Sequence, residues 1–116
     1  MTTTIYHNPR CSKSRQALEL LESQGADIEV IRYLDPPPDA ATLVELLERL
    51  GLSARELMRK GEDTYKELNL ANPELSEAQL VQAMVDYPKL IERPIVIREG
   101  KAVIGRPPER VLELFA

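Results

Sequence analysis

His7-Asn8-Pro9-Arg10-Cys11-Ser12-Lys13-Ser14-Arg15 holds the only histidine and the only cysteine of this chain. Ahead of it, Thr2-Thr3-Thr4-Ile5-Tyr6 is rich in β-branched and aromatic residues, the composition of a strand. Behind it, Ala17, Leu18, Leu20 and Leu21 recur at helical spacing until Gly25, which predicts a helix with a glycine stop. Cys11 therefore falls on a strand-to-helix turn, at a helix N-terminus whose unpaired N–H groups favour negative charge. Arg10, Lys13 and Arg15 add positive charge in sequence beside it. A thiol in such a field loses its proton more readily than free cysteine, and the thiolate is the nucleophile. The competing reading is a buried, inert, weakly apolar cysteine. A turn flanked by arginine and lysine is a poor place to bury one.

Working outward, Asp27 to Tyr33 contains Ile28, Val30 and Ile31 and reads as a second strand. Strand, helix and strand within about 30 residues form a βαβ unit with a parallel pair. Pro36-Pro37-Pro38 then breaks regular structure as a stiff connector. Asp39 is placed to cap a helix carrying Leu43, Leu46, Leu47 and Leu50, which Gly51 ends. Ser53-Ala54-Arg55-Glu56 matches a capping box and opens a short helix expected to end near Arg59. Gly61 to Asn72 is less periodic, with Tyr65, Leu68 and Leu70 as inward candidates. Ser76-Glu77-Ala78-Gln79 is a second capping box, leading into Leu80, Val81, Ala83 and Met84.

Strands return at Pro94-Ile95-Val96-Ile97 and Ala102-Val103-Ile104, flanking the two-residue hairpin turn Glu99-Gly100. Pro108 suits the first turn of a final helix over 109–115. The order β-α-β, helices, β-β-α is that of a thioredoxin-like domain. The expectation is an α/β fold with a mixed four-stranded sheet, one domain over residues 1–116, and a helical insertion at about 39–86. That connectivity puts Cys11 at the carboxyl end of the first strand, where ligands of such sheets bind.

Composition narrows the functions. A chain of 116 residues is large enough for one core without staples. A net charge of −4 argues against general nucleic-acid binding. One cysteine forms no internal disulfide and fits a reducing compartment. No apolar run approaches the ~20 residues of a membrane span, and the N-terminus lacks a signal-peptide core. The cytoplasm is the expected location. One histidine and one cysteine exclude a zinc site of the usual Cys/His kind, so no metal is expected.

Three arginines at element boundaries stand out: Arg59, Arg93 and Arg106. A solvated side chain is the ordinary role of each. Arg93 and Arg106, however, lie just beyond the paired ends of one hairpin, each next to a proline. That arrangement sets two guanidinium groups around an oxyanion. The Arg93-Pro94 bond is a candidate cis peptide, facing Cys11. His7 suits either a structural turn or support of the thiolate. Ser12 and Ser14 suit helix capping, and Ser14 also suits donation to the thiolate. A phosphatase-type loop would need an arginine six positions after the cysteine, where Ala17 stands. A redox pair would need a second cysteine at position 14, which is Ser14.

Tyr6-His7-Asn8-Pro9-Arg10-Cys11, Tyr33-Leu34, Glu56-Leu57-Met58-Arg59, Tyr65-Lys66-Glu67-Leu68, Glu92-Arg93-Pro94-Ile95-Val96 and Gly105-Arg106-Pro107 resemble the glutaredoxin-linked arsenate reductases. The similarity runs over nearly the whole chain and is nearest the short bacterial, YfgD-like branch of that family. The resemblance implies that Cys11 attacks arsenate, that Arg59, Arg93 and Arg106 surround the oxyanion, and that His7 and Ser14 support the thiol. The loop Arg10-Cys11-Ser12-Lys13-Ser14 departs from better-studied members, which carry a smaller, glycine-containing loop after the cysteine. The change adds positive charge at the pocket mouth.

Reduction of arsenate to arsenite takes two electrons, and Cys11 supplies one thiol. The second is expected from glutathione, with glutaredoxin resolving the resulting mixed disulfide and no bound cofactor. Two other classes remain. One is a Spx-type regulator that binds RNA polymerase, whose usual Cys-x-x-Cys switch is absent here. The other is a general glutathione-dependent thiol oxidoreductase.

Overall fold

The three threonines, Ile5 and Tyr6 form β1 (Thr2–Tyr6), and helical spacing then gives α1 (Ser12–Ser23). Gly25, at φ +70°, sits just past α1 and returns its N–H to Glu22 O. β2 (Asp27–Ile31) follows, then α2 (Ala40–Leu50), α3 (Ala54–Leu57), α4 (Asp63–Glu67) and α5 (Glu77–Asp86). A 3-10 turn (Pro88–Leu90), β3 (Ile95–Arg98), β4 (Lys101–Ile104) and a 3-10 helix (Pro108–Phe115) complete the chain. This computed structural model describes residues 2–34 and 38–115. The connector expected at Pro36-Pro37-Pro38 lies, apart from Pro38, outside the described residues.

The strands form one mixed sheet in the order β2-β1-β3-β4. β1 runs parallel to β2 with Ile5 opposite Val30, and antiparallel to β3 with Ile5 opposite Val96. β3 and β4 pair antiparallel from Ile95–Ile104 to Arg98–Lys101. The turn between them uses Glu99 at φ +53° and Gly100 at φ +81°, the left-handed pair that a two-residue hairpin requires. The fold is thioredoxin-like, with the helices inserted between β2 and β3.

Two compact units emerge, residues 1–36 with 93–116, and residues 37–92. In the first, Ile5, Ala17, Leu21, Val96 and Val111 are fully buried, with Leu18, Ile28, Val103 and Leu114 packed against them. Burying each of the isoleucine, leucine and valine side chains contributes roughly 1.5–3 kcal/mol. In the second, α5 packs on α2 and α3. The buried side chains there include Leu43, Leu46, Leu47, Leu57, Leu80 and Met84. Asp39 caps α2 by accepting from Thr42 N–H at 2.8 Å, and both expected capping boxes form, at Ser53–Glu56 and Ser76–Gln79. Among the described residues no helix is long and apolar enough to cross a membrane.

Four boundaries differ from expectation. β2 stops at Ile31, and Tyr33-Leu34 forms a turn with Tyr33 buried. α3 ends at Leu57, because Met58 is extended and bridges to Ile91. Leu68 is exposed, since α4 closes at Glu67 and Leu70 takes the inward place. The C-terminal segment winds as a 3-10 helix instead of an α-helix. Three residues per turn bring Pro108, Val111 and Leu114 into line; all three are buried or half-buried, and Phe115 beside them is half-buried as well.

Candidate active site

β1 delivers its last residues to the turn that holds the thiol. His7 N–H extends the parallel pairing by donating to Ile31 O at 2.8 Å. Asn8 then organises the loop three ways. Its side-chain Oδ1 accepts from Arg10 N–H at 3.0 Å, an Asx turn. Its carbonyl accepts from Cys11 N–H at 3.0 Å. Its own N–H donates to Ser14 Oγ at 3.1 Å. Cys11 occupies the N-cap of α1 with extended backbone, φ −95° and ψ 121°, and makes no side-chain capping bond.

The half-buried Cys11 thiol has its pKa held below the ordinary thiol value. Burial pulls it upward. Against that stand the Ser14 backbone N–H, the charge of Arg93, the Lys13 backbone N–H and an Arg93 side-chain hydrogen bond, and together they prevail. Lys13 and Ser14 lie in the first turn of α1, where amides have no intrahelical partner, so they are available to a thiolate. The helix-terminal amides were expected to favour the thiolate, and the Lys13 and Ser14 N–H groups do so. The added positive charge was expected from Arg10, Lys13 and Arg15, and comes instead from Arg93, more than eighty positions away in sequence. Arg15 turns back to donate to Pro9 O at 3.2 Å.

Ser14 does not cap α1. It is fully buried, with Oγ 2.6 Å from His7 Nδ1. Its oxygen accepts from Asn8 N–H, which leaves the hydroxyl proton for the imidazole. His7 is itself buried, and burial, then the charges of Arg32 and Arg15, lower its pKa. A neutral ring with Nδ1 as acceptor satisfies all three groups. His7 and Ser14 thus brace the loop from beneath.

Arg93 and Arg106 both lie just beyond the paired ends of the hairpin. Ile95 and Ile104 are the last paired residues of the hairpin, and Gly105 N–H donates to Pro94 O at 2.9 Å just beyond them. Arg106 Nη1 reaches Arg93 O at 3.4 Å. The Arg93-Pro94 bond is cis, and so is Arg106-Pro107, which went unmarked in the sequence. Gly105 has no room for a side chain: a Cβ there would lie 2.9 Å from Pro94 Cγ and 3.2 Å from Val111 Cγ1. Arg59 belongs to the 37–92 unit. It is half-buried, its side chain pairs with Glu62, and its N–H donates to Leu90 O at 2.7 Å.

Asn8 and Gly105 were missed by sequence reasoning. Asn8-Pro9 is a turn signal, so the Asx turn was open to detection. Gly105 carried no signal, because its constraint comes from residues distant in the chain. Among the described residues, no group of three or more His, Cys, Asp or Glu side chains is arranged to hold a metal ion.

Comparison with known proteins agrees with this geometry. The profile of the ArsC family matches residues 6–114. Escherichia coli K12 protein YfgD, described as uncharacterized, is 67% identical over 111 residues, 95% of this chain and 93% of its own length. An arsenate reductase of Neisseria meningitidis serogroup A is 55% identical over 108 residues, 92% of each chain. The solved structure of an arsenate reductase from Vibrio cholerae superposes with a TM-score of 0.96 at 53% identity, covering 98% of both chains. With the cysteine turn and arginine hairpin in place and the match spanning nearly all its length, the chain belongs to the ArsC family.

Proposed function

We propose that this chain is an arsenate reductase that draws its second thiol from glutathione and is recycled by glutaredoxin. The observation that carries the proposal is the Cys11 thiol, held below its ordinary pKa by helix-terminal amides and Arg93.

The Cys11 thiolate attacks the arsenic of arsenate. A sulfur–arsenic bond forms and one oxygen leaves as water, taking a proton from solvent. Glutathione thiolate then attacks the Cys11 sulfur. The sulfur–sulfur bond forms, the sulfur–arsenic bond breaks, and its electron pair stays on arsenic, which departs as arsenite. Glutaredoxin attacks the glutathione sulfur and releases Cys11 as thiolate. Arg93 and Arg106 neutralise the oxyanion, and the family resemblance assigns Arg59 as a third such group. Positioned donors of this kind are typically worth roughly 3 kcal/mol each. His7 and Ser14 act on Cys11 through the loop. The scheme draws on no bound cofactor, and its need for glutathione fits the cytoplasm.

The test is a coupled assay with arsenate, glutathione, glutaredoxin, glutathione reductase and NADPH. The protein should support NADPH oxidation, and Cys11→Ser should abolish it while leaving the fold intact. Without glutaredoxin, mass spectrometry should find one glutathione on Cys11. Arsenite accumulating while Cys11 stays free would sink the scheme. Deglutathionylation of peptides with no arsenate turnover would mark a general thiol oxidoreductase instead.

A further inference from the structure

We infer that a groove beside the Cys11 loop seats glutathione by its carboxylates, a subsite that rests on the proposed use of glutathione as second thiol. The groove is lined by His7, Asn8, Pro9, Arg10, Arg32 and Leu34 and encloses about 320 Å³. It belongs to the nucleophile's own loop, because Asn8 O accepts from Cys11 N–H and Arg10 is the next residue.

Charge selects the ligand. Among the described residues lining the groove none is acidic, and residues 1–18 contain no Asp or Glu at all. Among the described residues, neither the Arg10 nor the Arg32 guanidinium is engaged in an ion pair. The Arg32 charge reaches the groove wall, where it helps lower the pKa of His7 after burial. Two guanidinium groups in a groove beside the loop that carries the thiol suit a small thiol with two carboxylates, each a bidentate partner. Glutathione has that chemistry, with its sulfur between the two carboxylates. Pro9 and the part-exposed Leu34 offer apolar contact to its backbone and methylenes. The arsenate oxyanion is assigned to Arg93 and Arg106 and does not compete for this groove.

The test avoids arsenate. Cys11 thiolate attacks one sulfur of oxidised glutathione, the Cys11–glutathione disulfide forms, the original disulfide breaks, and glutathione thiolate leaves. The rate is compared with that for the tetraethyl ester of oxidised glutathione, whose four carboxylates are all masked, and for uncharged hydroxyethyl disulfide. Wild type should favour oxidised glutathione. In the Arg10→Ala/Arg32→Ala variant its rate should fall about tenfold relative to hydroxyethyl disulfide, and the preference over the ester should disappear. Arg10→Lys/Arg32→Lys should restore part of it. S-methylglutathione, which has no free thiol, should shift the backbone amide signals of Asn8, Arg10, Arg32 and Leu34 saturably in wild type and not in the double alanine variant. An unchanged rate ratio, or shifts mapping elsewhere, overturns the subsite. Because neither measurement uses arsenate, a protein that passes here but does not turn over arsenate loses the reductase reading and not the groove. One that reduces arsenate but fails here loses only the groove.

Discussion

Arg93 meets Cys11 twice, by charge and by hydrogen bond, so its removal should register on the thiol itself. Arg93→Ala should raise the Cys11 pKa, shift the iodoacetamide rate profile to higher pH and slow alkylation near neutrality. Turnover should fall about a hundredfold, the usual loss of one positioned donor. Sulfate or phosphate should protect wild-type Cys11 from alkylation and protect the variant less, with Lys101→Ala as a neutral control. An unmoved profile would leave the thiolate to the amides alone. His7 makes a pH prediction. Its folded pKa lies below the unfolded value of about 6.5. Below that value the unfolded chain therefore binds the extra proton first. Stability linked to His7 is present above pH 6.5 and is lost as pH falls from there toward the folded pKa. Denaturation midpoints against pH should fall more steeply for wild type than for His7→Asn across that window. The place of Cys11 was legible because strand, turn and helix are all local signals. The identity of its cationic partner was not, since Arg93 reaches it only through the fold.

At the scale of elements, the hairpin and the helix caps were readable because each is written in adjacent residues. Glu99-Gly100 and the two capping boxes formed where expected. The C-terminal helix was misjudged because Val111, Leu114 and Phe115 fit either helical spacing until packing against the core chooses one. Gly105 belongs to this scale as well. A methyl group there meets the Pro94 ring at 2.9 Å, Val111 at 3.2 Å and Ala17 at 3.4 Å. None is the far end of a flexible chain. Gly105→Ala should therefore cost roughly 1–3 kcal/mol by overpacking, read from the denaturant midpoint. It should also weaken phosphate protection of Cys11, because the displaced ring carries Arg93 with it. Loss of stability with unaltered protection would mean that the hairpin end and the arginines move independently.

For the molecule as a whole, net charge misleads as a guide to ligand. Residues 37–92 hold 11 acidic and 6 basic side chains, whereas the remaining residues hold 8 and 9. The −4 is thus a property of the insertion, and the unit bearing Cys11 presents no excess of negative charge to an approaching anion. That the strands build one mixed four-stranded sheet was legible at this scale, because a βαβ start supplies the parallel pair and a hairpin end the antiparallel one. Their spatial order was not, since nothing local says that β1 sits between β2 and β3. Finally, a partly exposed thiolate with no other cysteine in the chain has a chemical liability. Peroxide converts such a sulfur to sulfenic acid, which a neighbouring cysteine would ordinarily trap as a disulfide. Here no internal thiol exists, so oxidation should run on to the irreversible sulfinic and sulfonic acids. Peroxide alone should add two or three oxygens to Cys11 by intact mass and inactivate the protein permanently. The same dose with glutathione present should leave a single reducible adduct and recoverable activity. The chain would then depend on the surrounding thiol pool for its survival in oxidant as well as for its electrons.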